Sequence, residues 1–104
     1  MYPLLCRAGY GVPMKTGKFS IVKITAITDC SDINSNARLQ LCDSKETTLE
    51  TKDDADHIIL DLQKKATSEE SIVFDCPEPI TVRNGLLPMV TTNLKPGSTL
   101  VYIK

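Results

Sequence analysis

The C-terminal third of the chain alternates between apolar and polar residues, and turn-forming residues interrupt it at short intervals. Ile72, Phe74 and Cys76 fall on one side of a predicted strand, and Val73 and Asp75 fall on the other. A period of two over so short a run is typical of a strand with one buried face. We therefore predict a strand that ends near Cys76.

Two turn signals follow this strand. The Pro-Glu-Pro segment at 77–79 removes two backbone donors and favours extended geometry before each proline, so we expect the chain to turn there. Asn84-Gly85 tolerates positive φ and has aliphatic neighbours, which predicts a hairpin. The strands that this hairpin would join are predicted at residues 80–82 and 86–92.

The end of the chain carries two further signals. Pro88 lies inside a predicted strand but has no backbone N–H to donate to a neighbouring strand, which indicates a sheet edge or a bulge. The Lys-Pro-Gly-Ser segment at 95–98 predicts a turn. Residues 99–103 are rich in β-branched and aromatic side chains, so the domain is expected to close on a C-terminal strand.

Three strands are predicted before this region. Residues 18–28 are apolar on both faces for part of their length, which is typical of a central strand covered on two sides. Residues 37–42 alternate strictly and predict a half-buried strand. Residues 57–62 predict another strand, although their apolar spacing also fits a short helix. The polar segments at 29–36, 43–56 and 64–70 predict loops or turns, the second of them long and exposed to solvent.

Residues 1–17 contain too many prolines and glycines for a regular helix or strand, so they predict an extended arm. Arms that are merely disordered usually lack apolar side chains. We therefore interpret those of this arm as candidate partner-binding residues, with a frayed terminus as the alternative. The candidates are Tyr2, Leu4, Leu5, Tyr10 and Val12.

Together these elements predict an all-β protein. The expected fold is an antiparallel β-sandwich, jelly-roll-like or Ig-like, of about seven to eight strands. The arm occupies residues 1–17 and the sandwich domain residues 18–104. With 104 residues, 5% of them aromatic, the core must come from Ile, Leu and Val, and so small a domain often gains stability from self-association.

Charge and hydropathy exclude several function classes. The net charge is -1 and no basic stripe is present, so we expect no nucleic-acid partner. No apolar run reaches the roughly 20 residues of a membrane-spanning helix, and the first residues do not resemble a signal peptide. We therefore expect no membrane partner, and synthesis in the cytosol.

The reactive and metal-ligating residues do not form a recognisable site. Cys6, Cys30, Cys42 and Cys76 would suggest two disulfides in a secreted domain, but the sequence shows no export signal. They also include no C-x-x-C pair, so buried reduced thiols are expected rather than zinc ligands. His57, the only histidine, lacks a partner nucleophile and is interpreted as a surface residue. We predict no catalytic residues and no cofactor.

Two acidic clusters are candidate cation sites. Asp29, Asp32, Asn34 and Asn36 offer closely spaced oxygen ligands for calcium. The cluster lacks a glycine at the bend and a distal glutamate, so a turn capped by its own side chains is the preferred interpretation. The aspartates at 53, 54 and 56 are interpreted as part of a solvated loop. No metal site is predicted.

Five segments, in this order along the chain, form a recognisable strand pattern: ARLQL at 37–41, IILDL at 58–62, SIVFDCPEPI at 71–80, NGL at 84–86 and TLVYI at 99–103. This pattern resembles that of small β-sandwich virion proteins of tailed bacteriophages. The resemblance covers residues 18–104, whereas the four cysteines and the 43–56 loop depart from it. Proteins of this kind decorate or cement capsids or form head-fibre bases, and some are trimers.

The resemblance implies a non-enzymatic structural virion protein. It would bind the major capsid protein or another virion protein, form a homo-oligomer such as a trimer, and reside in the virion after synthesis in the host cytoplasm. A carbohydrate- or receptor-binding module is the alternative, because the exposed loops of a sandwich suit that role. The absence of Trp and the few Tyr residues count against sugar binding. An enzyme ranks third, since it would need a pocket with convergent polar groups.

Overall fold

The computed structural model consists of strands and irregular segments, with no helix in the residues it describes, which are 1–6, 14–29, 36–44, 58–65 and 68–104. The predicted all-β class is confirmed. In chain order the strands are β1 (Tyr2–Leu5), β2 (Lys15–Thr16), β3 (Phe19–Ile27), β4 (Asn36–Asp43), β5 (Ile58–Lys65), β6 (Ser71–Val82), β7 (Gly85–Thr92) and β8 (Leu100–Ile103).

The strands form two antiparallel sheets of four. The first sheet has the order β1-β8-β3-β6 and the second has the order β2-β7-β4-β5. The inward-facing side chains of both sheets make one core, as expected for a β-sandwich. This core is built mainly from Phe19, Ile21, Ile24, Leu39, Leu41, Val82, Leu86, Val101 and Ile103. The predicted antiparallel β-sandwich of seven to eight strands is therefore confirmed.

The strands predicted from alternation are present. β3 is hydrogen-bonded on both sides, to β8 and β6, as expected of a central strand. β4 lies between β7 and β5, and its residues Gln40 and Cys42 are buried on the face predicted to be open. β5 is a strand, so the competing helix interpretation is wrong. Its pairing with β4 establishes the strand, because Leu60 lies opposite Leu41 and Leu62 lies opposite Leu39.

The turn predicted at 77–79 is wrong, because β6 continues through it. Ile80 pairs with Ile21 and Asp75 pairs with Lys23, so residues 76–79 of β6 stand opposite the single residue Val22 of β3. The two prolines therefore lie in a bulge of an edge strand, where their missing donors remove no ladder hydrogen bond. The two short strands predicted here are one strand.

The hairpin predicted at Asn84-Gly85 is also wrong. β6 pairs with β3, whereas β7 pairs with β2 and β4, so the connection passes from one sheet to the other. Neither residue has positive φ. Instead the Asp43 carboxylate accepts hydrogen bonds from the backbone N–H groups of Arg83, Asn84 and Gly85 at 2.9, 2.8 and 3.2 Å. This inter-sheet arch is therefore fixed by a residue of another strand.

The bulge predicted as one alternative at Pro88 and the turn predicted at 95–98 are confirmed. Val90 pairs with Gln40 and Pro88 pairs with Leu41, which leaves Met89 as the extra residue of a bulge. Ser98 donates its N–H to the carbonyl of Lys95 at 3.1 Å, and Gly97 has φ 77°, so residues 95–98 form a tight turn. β8 begins directly after this turn.

Hydrogen bonds of the Thr28 side chain connect the segment before β6 to the end of β3. Its side chain is fully buried, and its hydroxyl accepts the N–H of Glu70 and donates to the carbonyl of Ser68, both at 2.8 Å. A Thr28→Val variant keeps the shape and loses these bonds. We expect its free energy of unfolding to fall by about 1–2 kcal/mol, measured by urea denaturation. Thr28→Ser retains the hydroxyl and is the control; equal losses in both variants would show that packing alone matters.

Candidate protein-binding face

The side of the first sheet that faces away from the core carries mostly uncharged side chains. In β8, the buried residues Val101 and Ile103 alternate with the half-buried residues Leu100 and Tyr102. Successive residues of a strand point to opposite faces, so Leu100 and Tyr102 lie on the outward side. The register of the neighbouring strands shows which residues accompany them.

One row of outward residues crosses all four strands without a charge. Leu100 pairs with Leu5 of β1 and with Thr25 of β3, and Thr25 pairs with Val73 of β6. Directly paired residues of antiparallel strands share one face. The ends of this row are the most exposed, since Leu5 is 43% and Val73 59% accessible to solvent.

A second row runs beside the first and adds an aromatic ring and two charges. Tyr102 pairs with Pro3 and Lys23, and Lys23 pairs with Asp75. The Lys23 ammonium is 5.8 Å from the centre of the Tyr102 ring, a cation–π distance. We call the two rows together the first-sheet face. It consists of Leu5, Leu100, Thr25, Val73, Pro3, Tyr102, Lys23 and Asp75.

The corresponding side of the second sheet carries a charged cluster. Arg38 donates two hydrogen bonds to Asp61, from Nε at 3.1 Å and from Nη2 at 2.8 Å, and Gln40 adds a third at 3.2 Å. The hydrogen bonds from Arg38 hold the pKa of Asp61 below its usual range. Gln63 and Thr92 pair with Arg38 on the same side, and Val90 pairs with the buried Gln40. The uncharged row of the first sheet has no such cluster.

The predicted arm contributes strands to both sheets. Leu5 lies on the first-sheet face, Leu4 packs against the core, and Tyr2 is 48% exposed at the edge of the sheet. Tyr10 and Val12 lie outside the described residues. Removing residues 1–17 would take a strand from each sheet, and their role in partner binding stays a prediction.

Among the residues of the face, only Leu5 was predicted to bind a partner. The strand pattern alone did not assign the apolar and aromatic surface of Val73, Leu100 and Tyr102 to an interface. A signal was nevertheless present, because β8 is apolar at every position and Val73 stands where an outward polar residue is usual. Apolar residues on both faces of a strand indicate a second contact surface when one face of the sheet is open.

An apolar cleft of about 390 Å³ opens between β5 and β6. Its walls include Ile24 and Leu39 from the core, Leu62 from β5, and Ile72 and Phe74 from β6. The lining contains polar side chains such as those of Arg38, Lys64 and Ser71, but no His, Cys, Asp or Glu among the described residues. The cleft is therefore a hydrophobic gap between sheet edges rather than a cluster of acid and base groups.

The metal and catalytic candidates are only partly described. Asp29 is exposed and Asn36 is the first residue of β4, whereas the other members of both acidic clusters and His57 lie outside the described residues. In the parts of the chain that the structure does describe, no group of three His, Cys, Asp or Glu side chains is placed to hold a metal ion. The same parts include no helix that could cross a membrane.

The cysteines that the structure describes differ in burial. Cys6 belongs to the core, Cys42 is fully buried and Cys76 is half-buried in the bulge of β6, while Cys30 lies outside the described residues. Burial raises the pKa of the Cys6 thiol to about 11. Burial and then the charge of Asp75 raise the pKa of Cys76. All of these thiols are expected to react slowly at neutral pH.

The difference in burial predicts the order of alkylation. Cys6 is 5% exposed, and its thiolate is scarce at pH 8, so iodoacetamide should modify Cys76 at least about tenfold faster than Cys6. Mass spectrometry of proteolytic peptides after timed labelling gives both rates. In denaturant the two rates should become similar. Equal rates in the native protein would contradict the placement of Cys6 in the core.

Comparison with known protein families, curated proteins and solved structures finds no match to this chain. The functional argument therefore rests on the surfaces described above and on the strand pattern of the sequence. Of these surfaces, the first-sheet face combines exposure, low polarity and a continuous area.

Proposed function

We propose that this chain is a non-enzymatic structural protein that attaches to another protein through the first-sheet face. The observation that carries the proposal is the uncharged row from Leu5 to Val73. Contiguous exposed apolar surface with a polar rim marks protein interaction sites in soluble proteins. Lys23 and Asp75 supply part of such a rim.

The shape of this face favours a protein partner over a small ligand. Four neighbouring strands spaced about 4.8 Å apart give the row a width of about 14 Å. Small-molecule sites are concave and enclose most of the ligand, whereas an open sheet surface offers broad contact. Tyr102 adds an aromatic residue, a type that is enriched among the energetically dominant residues of interfaces.

The partner that we propose is a virion protein, with the major capsid protein first. This part of the proposal is supported by the resemblance of the strand pattern to β-sandwich virion proteins of tailed phages. A decoration or cement protein needs a stable small domain and one exposed contact surface. Repetition on a symmetric shell, together with homo-oligomerisation, then converts a modest contact into firm attachment.

Co-sedimentation with assembled particles from the source of the protein tests this proposal. The protein is added to purified particles, and the bound copies per particle are counted by quantitative mass spectrometry. A saturating number that is a simple multiple set by the capsid symmetry is expected. A protein that stays in the supernatant at every concentration would contradict the virion role.

A further inference from the structure

The apolar cleft is bordered by two edge strands, one from each sheet. β5 is the last strand of the second sheet and β6 is the last strand of the first. Their outer backbone edges have no strand partner among the described residues. Unpaired edges are templates for pairing with another chain, and soluble proteins normally cover or block them. Here a hydrophobic gap lies between two such edges.

The opposite side of the sandwich is fastened. There the edge strands are β1 and β2, and the Lys15 ammonium donates a hydrogen bond to the Tyr2 hydroxyl at 2.9 Å. The same ammonium lies 5.6 Å from the Tyr2 ring and 5.8 Å from the Phe19 ring. On the cleft side, the Lys64 ammonium and the Glu70 carboxylate form an exposed ion pair at 3.7 Å, which is too long for a hydrogen bond. The outer edges of β1 and β2 also have no strand partner among the described residues, but the apolar cleft lies on the side of β5 and β6.

The two edges beside the cleft carry opposite charges. β5 ends in two exposed lysines, and its one acid, Asp61, is paired with Arg38. β6 and the residues before it carry exposed acids. These are Glu69, Glu70, Asp75 and Glu78. Glu69 and Glu70 lie 3.3 and 3.7 Å from the ammonium groups of Lys95 and Lys64, so the acidic charge of the β6 edge rests mainly on Asp75 and Glu78. Contacts between two β5 edges or between two β6 edges would be repulsive, whereas β5 against β6 is attractive.

We infer that two copies of this chain associate through the cleft side, with β5 of each copy against β6 of the other. One molecule carries both complementary edges, so the contact is self-complementary and closes as a two-fold dimer. The dimer pairs the open edges and covers the half-buried side chains of Leu62, Ile72 and Phe74. A second copy fits better than an unrelated partner because both required edges are already present in one chain.

The inference goes beyond the proposed function, although the two surfaces meet at β6. Val73 and Asp75 belong to the first-sheet face, and Val73 also lines the cleft. The rest of the first-sheet face lies on the outward side of its sheet, so a dimer through the cleft side would carry two such faces. Dimerisation is measured without particles and attachment with them, so failure of one is distinguishable from failure of the other.

Sedimentation equilibrium over a range of concentrations tests the dimer. We expect the wild type to be a dimer, and two charge-reversal variants to dissociate at least about tenfold more readily. The first variant is Lys64→Glu with Lys65→Glu, and the second is Asp75→Lys with Glu78→Lys. Lys18→Glu with Lys104→Glu reverses two exposed lysines elsewhere and should leave the dissociation constant unchanged.

Mixing the two edge variants gives the decisive result. In a mixed pair, the acidic β5 edge of the first variant meets the basic β6 edge of the second, and the basic β5 edge of the second meets the acidic β6 edge of the first. An equimolar mixture should therefore recover dimers that neither variant forms alone. Recovery also shows that both variants are folded. A monomeric or trimeric wild type, or a mixture that stays monomeric, would overturn the inference.

Discussion

A Val73→Lys variant is expected to bind particles at least about tenfold more weakly than the wild type while keeping its fold. Val73 is 59% exposed at the β6 end of the uncharged row, so the new side chain meets no core atoms. An ammonium group within an apolar contact must lose water without gaining a partner, which costs more than the roughly 1.4 kcal/mol of a tenfold change in affinity. Exposed substitutions of this kind usually alter stability by less than about 0.5 kcal/mol.

The measurement is a co-sedimentation titration of wild type and variant against the same particles. Thr92→Lys is the matched control, since Thr92 is an exposed strand residue that pairs with Arg38 on the outward side of the second sheet. It adds the same charge and should bind as the wild type does. Equal binding by all three proteins would remove the first-sheet face from the interface, and an equal loss in both variants would indicate a general effect of charge.

An Asp43→Ala variant is expected to lose about 2–3 kcal/mol of its free energy of unfolding. The Asp43 carboxylate accepts three backbone hydrogen bonds from residues 83–85 and so fixes the arch between β6 and β7. Hydrogen bonds to a charged group are stronger than those between neutral groups. Water replaces the acceptor in part because Arg83 and Asn84 are exposed, so the loss is smaller than three full bonds.

Urea denaturation of the wild type and two further variants checks this prediction. Asp43→Asn keeps one oxygen acceptor and should show an intermediate loss. Asp29→Ala removes an exposed acid just after β3 and should change the free energy of unfolding by less than about 0.5 kcal/mol. If Asp43→Ala were as stable as Asp29→Ala, the carboxylate would not hold the arch.

The sequence predicted those elements whose signal is local. β3, β4, β5 and β8 followed from alternation and residue type, because a period of two reports directly on a strand with distinct faces. The turn at 95–98 followed from its proline and glycine for a similar reason. Pairing with the neighbouring strands then fixes the ends of these elements, which is why the observed bounds differ by one to several residues from those predicted.

The two incorrect turn predictions show which features of the fold the local sequence does not determine. Proline is tolerated wherever the backbone N–H that it lacks would have no partner in the sheet. A bulge in an edge strand, such as the one at 77–79, is a site of this kind. Asn84-Gly85 marks a change of direction but does not say which sheet the chain enters next. That choice depends on Asp43, which is 40 or more residues away and offers its carboxylate to the turn. Nothing in a single sequence indicates a hydrogen bond between residues so far apart along the chain.

The candidate face was predicted only at Leu5, for a related reason. A strand such as β8, which is apolar at every position, does not indicate which of its faces meets the core. Leu100 and Tyr102 could be placed only after the register with β1 and β3 was known. The charge difference between the β5 and β6 edges was likewise visible in the sequence, but its meaning required that both strands lie at open edges.

The most direct test of the central claim is hydroxyl-radical footprinting of the protein free and bound to particles. The account predicts that Leu5, Leu100 and Tyr102 lose reactivity on binding, while Gln63 and Val90 on the second sheet keep theirs. Protection of the second sheet with an unchanged first-sheet face would contradict it, because the particle would then contact the other side of the sandwich.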